Sequence, residues 1–151
     1  MIKIICVGKI KEKYLISAIE EYKKRLSKYT KLVIIEVSDV DNPNMDIILQ
    51  KEKESIEKYI DSKDYVVTLE IEGNMLSSVE LAEKINNIFN THSTITFIIG
   101  GSYGLHKDIK NRSNYKLSFS KLTFPHQLFR VNLLEQIYRS FKINNNESYH
   151  K

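Results

Sequence analysis

Cysteine is nearly absent from this sequence of 151 residues, which contains only Cys6. A single cysteine cannot form an intramolecular disulfide, and a zinc site built from several cysteines is excluded as well. Because Cys6 lies within the apolar run of residues 2–7, we expect it to be a small buried side chain. Long hydrophobic runs are also missing, since no apolar stretch approaches the ~20 residues that span a bilayer.

The first residues do not have the order of a secretory signal. Their apolar run is followed by Lys9, Lys11 and Lys13, whereas a signal peptide carries its positive charge before the apolar stretch. Repeats, low-complexity tracts and Gly/Ser-rich linkers are absent, which favours one domain over residues 1–151. We therefore expect a cytoplasmic protein of one domain with no membrane-spanning segment.

Positive charge is unevenly distributed, although the net charge is only +4. Residues 1–100 carry 14 Lys and Arg against 16 Asp and Glu, a net charge of −2. Residues 101–151 carry nine against three, a net charge of +6. This asymmetry indicates a polyanionic partner for the basic part, but a basic face that is only solvated fits the same distribution.

Short apolar runs rich in β-branched residues alternate with segments of helical periodicity. The apolar runs predict strands over Ile2–Val7, Leu32–Val37, Tyr65–Ile71 (closed by Gly73-Asn74), Thr94–Ile99 and Tyr115–Phe119. Helical spacing and capping signals predict helices over 13–29 and 45–60, from a capping box at Ser77 and Glu80, and from Pro125 to about Ile143. The alternation predicts an α/β fold with a mainly parallel sheet flanked by helices. Ligands bind at the carboxyl ends of the strands in such sheets.

A glycine-rich segment, I-I-G-G-S-Y-G-L at residues 98–105, follows the fourth predicted strand. Adjacent glycines permit positive φ angles and a close approach of the backbone to a ligand. The spacing is not the dinucleotide-binding G-x-G-x-x-G, and no phosphate-loop G-K-[ST] follows. The segment fits either a loop that binds a small ligand or a plain tight turn.

The segment S-F-S-K-L-T-F-P-H-Q-L-F-R-V, residues 118–131, joins the last predicted strand to the last helix. Pro125 restricts the backbone that follows Ser120–Phe124, whose carbonyls and amides can recognise a flat purine. Apolar residues fill more than half of the helix circumference, which predicts burial by the sheet on one side and by a partner subunit on the other. Arg130 falls within this apolar arc. An unpaired charge there is costly, so we expect Arg130 either to pair with an acid or to face a ligand.

The terminal residues Tyr149-His150-Lys151 combine a stacking ring, a histidine and a cation. Such a set suits an RNA base and its phosphate, although disorder is the common state of terminal residues. The other histidines, His92, His106 and His126, match no metal-binding spacing. Because of this histidine spacing, we expect no metal site. No Ser-His-Asp order or G-x-S-x-G elbow supports a hydrolase.

Together these segments resemble the RlmH family, the pseudouridine methyltransferases of bacterial large-subunit ribosomal RNA in the SPOUT superfamily. The motifs occur in order along the whole chain: V-G-K-x-K-E-x-Y, T-L-E-I-x-G, I-I-G-G-S-x-G-L, L-S-F-S-K-L-T-F-P-H-x-x-x-R-V and Y-H-K. The resemblance implies a carboxy-terminal trefoil knot, a homodimer, and S-adenosylmethionine as cofactor. The positions that it implies for cofactor binding are Leu69, Gly100, Phe119, Ser120, Lys121, Leu122, Thr123 and Phe124.

The resemblance also implies methylation of the N3 ring nitrogen of a pseudouridine in 23S ribosomal RNA, in the assembled ribosome and without a metal. Such an enzyme must align an activated methyl donor and remove the imide proton. Our candidate catalytic residues are Arg130, which stabilises the anion, and Tyr149 and His150, with His150 as the base and the tail reaching the partner's site. Recognition of the RNA is expected to use the basic carboxy-terminal third. Two alternatives stay open: a SPOUT methyltransferase of another RNA base and a non-catalytic RNA-binding module.

Overall fold

The computed structural model describes residues 1–151 as a parallel sheet of five strands with five helices. The elements in chain order are β1 (Ile2–Val7), α1 (Lys13–Leu26), β2 (Leu32–Val37), α2 (Met45–Glu57), β3 (Tyr65–Met75), α3 (Ser78–Phe89), β4 (Ile95–Ile99), α4 (Lys107–Arg112), β5 (Tyr115–Ser118) and α5 (His126–Asn144). The strands lie in the order β2-β1-β4-β3-β5, and every neighbouring pair is parallel. The predicted α/β fold with a parallel sheet flanked by helices is confirmed.

Helices cover both faces of the sheet. The larger core joins α1, α3 and α5 to one face, and the smaller core joins α2 and α4 to the other. Strand β4 lies in the middle of the sheet, and all five of its side chains are buried. Because both faces of the inner strands are covered, their sequences are continuous apolar runs and do not alternate with polar residues.

Helix α5 packs against three neighbours within its own chain. Its buried residues Leu133, Leu134 and Ile137 belong to the larger core. Rings on its flank meet other helices: Tyr138 lies 6.2 Å from the Tyr22 ring of α1, and Phe141 lies 6.3 Å from Phe89 of α3. Contacts with the sheet, α1 and α3 therefore account for much of the broad apolar arc. The partner subunit inferred from that arc stays a prediction.

Strand β3 is longer than expected, and its assigned end at Gly73-Asn74 is wrong. Leu69 and Asn74 both pair with Leu117 of β5, so the residues between them form a bulge in the ladder. A Cβ at Gly73 would lie 2.8 Å from the carbonyl oxygen of Lys116. Gly73 thus permits the close approach of two strands instead of ending one.

The remaining differences concern short or terminal segments. Helix α4 has six residues, too few to give a readable periodicity, and it was not expected from the sequence. Helices α1 and α2 end at Leu26 and Glu57, three residues before their predicted ends, where the chain continues as turns. The capping box at Ser77 is present as predicted, with Glu80 as its second member. No helix has the length and apolar character needed to cross a membrane.

Candidate functional site

The carboxyl ends of β3, β4 and β5 surround a cavity of ≈310 Å³. This is the edge at which ligands bind in parallel sheets. Seven of the eight positions that the resemblance implied for cofactor binding line the cavity: Leu69, Gly100, Phe119, Ser120, Leu122, Thr123 and Phe124. Lys121 is exposed and lies outside the lining.

The glycine-rich segment after β4 is a tight turn that also forms one wall of the cavity. The amide of Gly104 donates a hydrogen bond to the carbonyl of Gly101 over 3.0 Å, and Gly104 has a φ of 77°. A Cβ at Gly100 would lie 2.6 Å from the carbonyl oxygen of Gly104. The two readings of this segment, a turn and a ligand loop, are therefore compatible, and Gly100 is the position where only glycine fits.

We expect Gly100→Ala to weaken binding of S-adenosylmethionine, the cofactor that the resemblance implies, by roughly 10- to 100-fold, because the added Cβ meets backbone atoms that cannot turn away and overpacking costs about 1–3 kcal/mol. Calorimetric titration measures the affinity, and thermal denaturation checks that the variant is folded. Ser102→Ala is the matched control, since it changes the same wall without adding an atom. Equal affinities of Gly100→Ala and wild type would contradict this role of the turn.

The segment after β5 forms the opposite wall from rings and backbone. Phe129 of α5 lies 4.8 Å from the Phe119 ring and 5.9 Å from the Phe124 ring. The Ser120 hydroxyl accepts a hydrogen bond from the amide of Leu122, and its carbonyl accepts one from the hydroxyl of Ser118. These bonds hold residues 118–122 in one conformation, with aromatic surface against the cavity.

Three charged side chains in the lining, Glu70, Glu72 and Lys110, were not identified as site residues from the sequence, and Glu70 and Lys110 form a pair. Glu70, at the bulge of β3, accepts a hydrogen bond from the Thr68 hydroxyl over 2.6 Å, and its other oxygen lies 3.7 Å from Nζ of Lys110. The acid was detectable as a polar residue that ends a buried strand. Lys110 was not, because it belongs to the helix that sequence periodicity missed. A carboxylate in an otherwise largely apolar cavity can accept hydrogen bonds from hydroxyl or ammonium groups of a ligand.

Arg130 is buried, forms an ion pair with the partly exposed Glu36, and does not line the cavity. Its side chain is 2% exposed, and Nη1 donates to Glu36 over 2.6 Å while Nη2 donates to the carbonyl of Gly8 over 3.1 Å. Nε is buried without a partner. Burial raises the pKa of the neighbouring Cys6 thiol to about 12, against the opposing effect of Arg130. Of the two expected environments, pairing with an acid is the one present.

The tail is folded back on α5, away from the cavity of its own chain. Asn146 adopts a left-handed conformation with a φ of 54°, which turns the chain after the helix. The Tyr149 hydroxyl then donates to Glu135 over 3.1 Å, and Nη1 of Arg139 lies 3.1 Å from Nδ1 of His150. Arg139 also binds Glu135 through Nε and Nη2. Glu135 and Arg139 were not identified from the sequence, where they belonged only to the polar arc of the last helix.

Tyr149 should stay protonated well above neutral pH. Burial and the Glu135 carboxylate raise its pKa from 10.0 to about 12. Because the folded state raises this pKa, the stability that it contributes is complete below pH 10 and is lost as the pH rises through about 12. We expect the tyrosinate absorbance of the wild type to exceed that of Tyr149→Phe only as the pH approaches about 12. An excess of wild-type absorbance already near pH 10 would mean that the hydroxyl is not held by Glu135.

Among the described residues, 1–151, no three His, Cys, Asp or Glu side chains are placed to share a metal ion. The charged groups include two ion pairs, Glu70 with Lys110 in the cavity and Glu135 with Arg139 under the tail. The chemistry available is therefore that of a cavity with aromatic and charged surface for a small ligand, together with a separate polar cluster that contains a histidine.

Comparison with known proteins gives the relationship of this chain. A family model described as "Predicted SPOUT methyltransferase" matches residues 1–150. The ribosomal RNA large subunit methyltransferase H of Clostridium novyi is 55% identical, and that of Clostridium kluyveri is 53% identical. Each alignment covers 99% of this chain and 99% of the relative.

Solved structures agree on the fold. A protein from Haemophilus influenzae described as a "probable methylase family protein" superposes with a TM-score of 0.57 at 17% identity, over 99% of this chain and 70% of that one. The tRNA (m1G37) methyltransferase from Aquifex aeolicus superposes with a TM-score of 0.50 at 15% identity, over 91% of this chain and 69% of that one. The family match over residues 1–150 and the full-length relatives together establish that this chain belongs to the SPOUT methyltransferase family.

Proposed function

We propose that this protein transfers a methyl group from S-adenosylmethionine to N3 of a pseudouridine in 23S ribosomal RNA. The observation that carries the proposal is the coincidence of two findings. Relatives that are more than half identical over their full length are named ribosomal RNA large subunit methyltransferase H, and the positions implied for the methyl donor converge on one cavity.

The residues around the cavity fit the donor. The volume of ≈310 Å³ lies at the lower end of the range for small-molecule sites, about 300–1,000 Å³. The rings of Phe119, Phe124 and Phe129 offer apolar surface to a purine, and Glu70 offers acceptors to ribose hydroxyls or to the amino group of the methionine moiety. When bound, S-adenosylmethionine supplies a sulfonium methyl group that is already activated for displacement. The protein's tasks are then to align the acceptor nitrogen and to remove its proton.

In this proposal the tail carries out the second task, removal of the proton from the acceptor nitrogen. Arginine has no acceptor, so Nδ1 of His150 accepts the hydrogen bond from Arg139, and a neutral ring carries its hydrogen on Nε2. Nδ1 becomes free to take the imide proton when Arg139 releases His150 and binds a phosphate of the RNA. The Tyr149 hydroxyl, held by Glu135, positions the adjacent histidine. For Arg130 the contacts favour a positioning role, because its guanidinium is committed to Glu36 and Gly8.

The proposal requires two chains at each site. Tyr149 and His150 do not line the cavity of their own chain, so we propose a homodimer in which the tail of one protomer reaches the cavity of the other. A carboxy-terminal trefoil knot and a cytoplasmic location, both implied by the resemblance, belong to the same proposal.

Calorimetric titration with S-adenosylmethionine separates this proposal from a non-catalytic RNA-binding module. We expect saturable binding of one donor per chain, reduced by Gly100→Ala. A pure RNA-binding module would give no heat of binding with the donor while still binding ribosomal RNA. Digestion of the methylated RNA to nucleosides then distinguishes pseudouridine from any other methylated base.

A further inference from the structure

A lysine-rich loop follows β1 at the same edge of the sheet as the cavity. We call residues 8–14 the lysine loop. Lys9, Lys11 and Lys13 are exposed, and the Tyr14 ring is 70% exposed. None of the three ammonium groups lies within ion-pair distance of an acid, in contrast to Lys3, Lys53 and Lys142. The exposed Glu12 offsets one of these charges, so the loop presents a net positive charge beside an exposed ring, in a part of the chain whose net charge is negative.

Buried contacts hold the lysine loop in one conformation. Ile10, between two exposed lysines, is only 7% exposed, and its amide donates to Glu36 over 2.9 Å. The carbonyl of Gly8 accepts from Arg130, and the amide of Gly8 donates to Val37 over 2.8 Å. The ion pair of Glu36 and Arg130 therefore anchors both ends of the turn that carries Lys9. A loop fixed in this way loses little conformational entropy when it binds a partner.

The lysine loop lies next to the glycine-rich wall of the cavity. Strands β1 and β4 are parallel neighbours in which Cys6 pairs with Ile99, so Gly8 follows beside Gly101. A Cβ at Gly101 would meet the side chain of Val7 at 3.1 Å. A polyanion that brings an acceptor base to the cavity therefore passes close to the lysines.

We propose that the lysine loop is an RNA-contacting surface, in which the three ammonium groups neutralise backbone phosphates and Tyr14 stacks on an unpaired base. The inference rests on the proposed function, because it names the surface that holds the RNA substrate beside the donor cavity. Lysine charge supplies affinity without reading sequence, and an exposed aromatic ring among cations is the usual platform for single-stranded bases. An acidic protein could meet the lysines, but it gives no reason for the exposed ring.

The test compares two triple variants of the full chain. Lys9→Ala/Lys11→Ala/Lys13→Ala removes the charge of the loop. Lys51→Ala/Lys58→Ala/Lys63→Ala removes the same charge from exposed, unpaired lysines of α2 and of the segment before β3. The probe is ribosomal particles from a strain that lacks this gene, and affinity is measured as a function of salt.

For the lysine loop variant we expect about tenfold weaker binding and a salt slope smaller by about 2 to 3, since each phosphate contact contributes roughly 0.7–0.9 to the slope. The control triple variant should match the wild type in affinity and in salt slope, apart from a small general effect of the lower net charge. Tyr14→Ala should weaken binding about tenfold, and Tyr14→Phe should not, because the ring is retained. Donor affinity should be unchanged in every variant, because none of these residues lines the cavity.

The outcomes separate this inference from the proposed function. Methyl transfer by the wild type, with equal affinity and salt slope in the two triple variants, overturns the inference and leaves the proposed function intact. Binding that depends on the lysine loop, without any methyl transfer by the wild type, supports the inference and overturns the proposed function. Loss of affinity in the lysine loop variant without a change of salt slope overturns the assignment to phosphates.

Discussion

Replacing His150 by alanine is expected to slow methyl transfer roughly 10²- to 10⁴-fold, the range associated with loss of a general base or acid. The reason is that Arg139 cannot act as a base, Tyr149 has a pKa of about 12, and Glu135 is occupied by hydrogen bonds from both of them, which leaves His150 to take the imide proton. Donor affinity should change little, because the role proposed for His150 is toward the proton of the acceptor nitrogen and not toward the donor. Single-turnover methylation of ribosomes at saturating donor measures the effect.

His92→Ala is the matched control, because His92 lies in the turn before β4 and makes an edge-to-face contact with Tyr65, far from the tail in the sequence. It should keep the wild-type rate. His150→Gln tests the type of role: glutamine can hydrogen-bond but does not titrate, so it should restore little activity if His150 is a base. An unchanged rate in His150→Ala would remove the histidine from the mechanism.

Mixed dimers test whether the tail acts on the partner's cavity. Gly100→Ala impairs the cavity, and His150→Ala impairs the tail. When the two variants are co-expressed, a site composed of two chains leaves one intact cavity facing one intact tail in each mixed dimer. We then expect activity that neither parent shows. If each site used the tail of its own chain, co-expression would restore nothing.

Replacing Glu36 by alanine should lower the free energy of unfolding by roughly 1–3 kcal/mol, because the buried Arg130 loses its counter-charge while the 35% exposure of Glu36 screens part of the interaction. The guanidinium of Arg130 is 2% exposed and has no other acid within ion-pair distance. Two backbone contacts of the lysine loop depend on the same pair. Denaturation by urea, followed by circular dichroism, measures the change.

The exposed pair of Glu21 and Arg25 provides the control for this substitution. Their side chains are 52% and 41% exposed, so Glu21→Ala should cost less than about 1 kcal/mol. The double substitution Glu36→Leu/Arg130→Met tests the role of Arg130. It removes both charges and should recover part of the stability that Glu36→Ala loses. Substantial activity in this double variant fits a positioning role, whereas complete loss in a stably folded protein would return Arg130 to the catalytic residues.

Local patterns in the sequence were sufficient for much of the fold. The bounds of β1 and β2 were predicted to the residue, because each run rich in β-branched residues is followed by a small residue, Gly8 or Ser38, at which the apolar pattern stops. The capping box at Ser77 was readable because its two members stand three residues apart. Helix α4 and the bulge of β3 were missed. A single short turn has no periodicity, and the bulge arises from pairing with β5, about 40 residues away in the sequence.

The candidate site was predictable only in part. The glycine-rich segment and the segment after β5 could be marked as ligand loops from composition, and the family resemblance assigned them to one cofactor. The partner of Arg130 could not be predicted, because Glu36 lies 94 residues earlier and nothing local to either residue specifies the pair. The cluster of Glu135, Arg139 and Tyr149 depends on how the tail turns at Asn146, which is set by packing on α5.

The most direct test of the account is mass spectrometry of ribosomal RNA from a strain that lacks this gene, with and without a plasmid that carries it. We expect N3-methylated pseudouridine to disappear from the 23S RNA of the deletion strain and to return with the wild-type gene, but not with Gly100→Ala. Persistence of every methylated pseudouridine in the deletion strain would contradict the account.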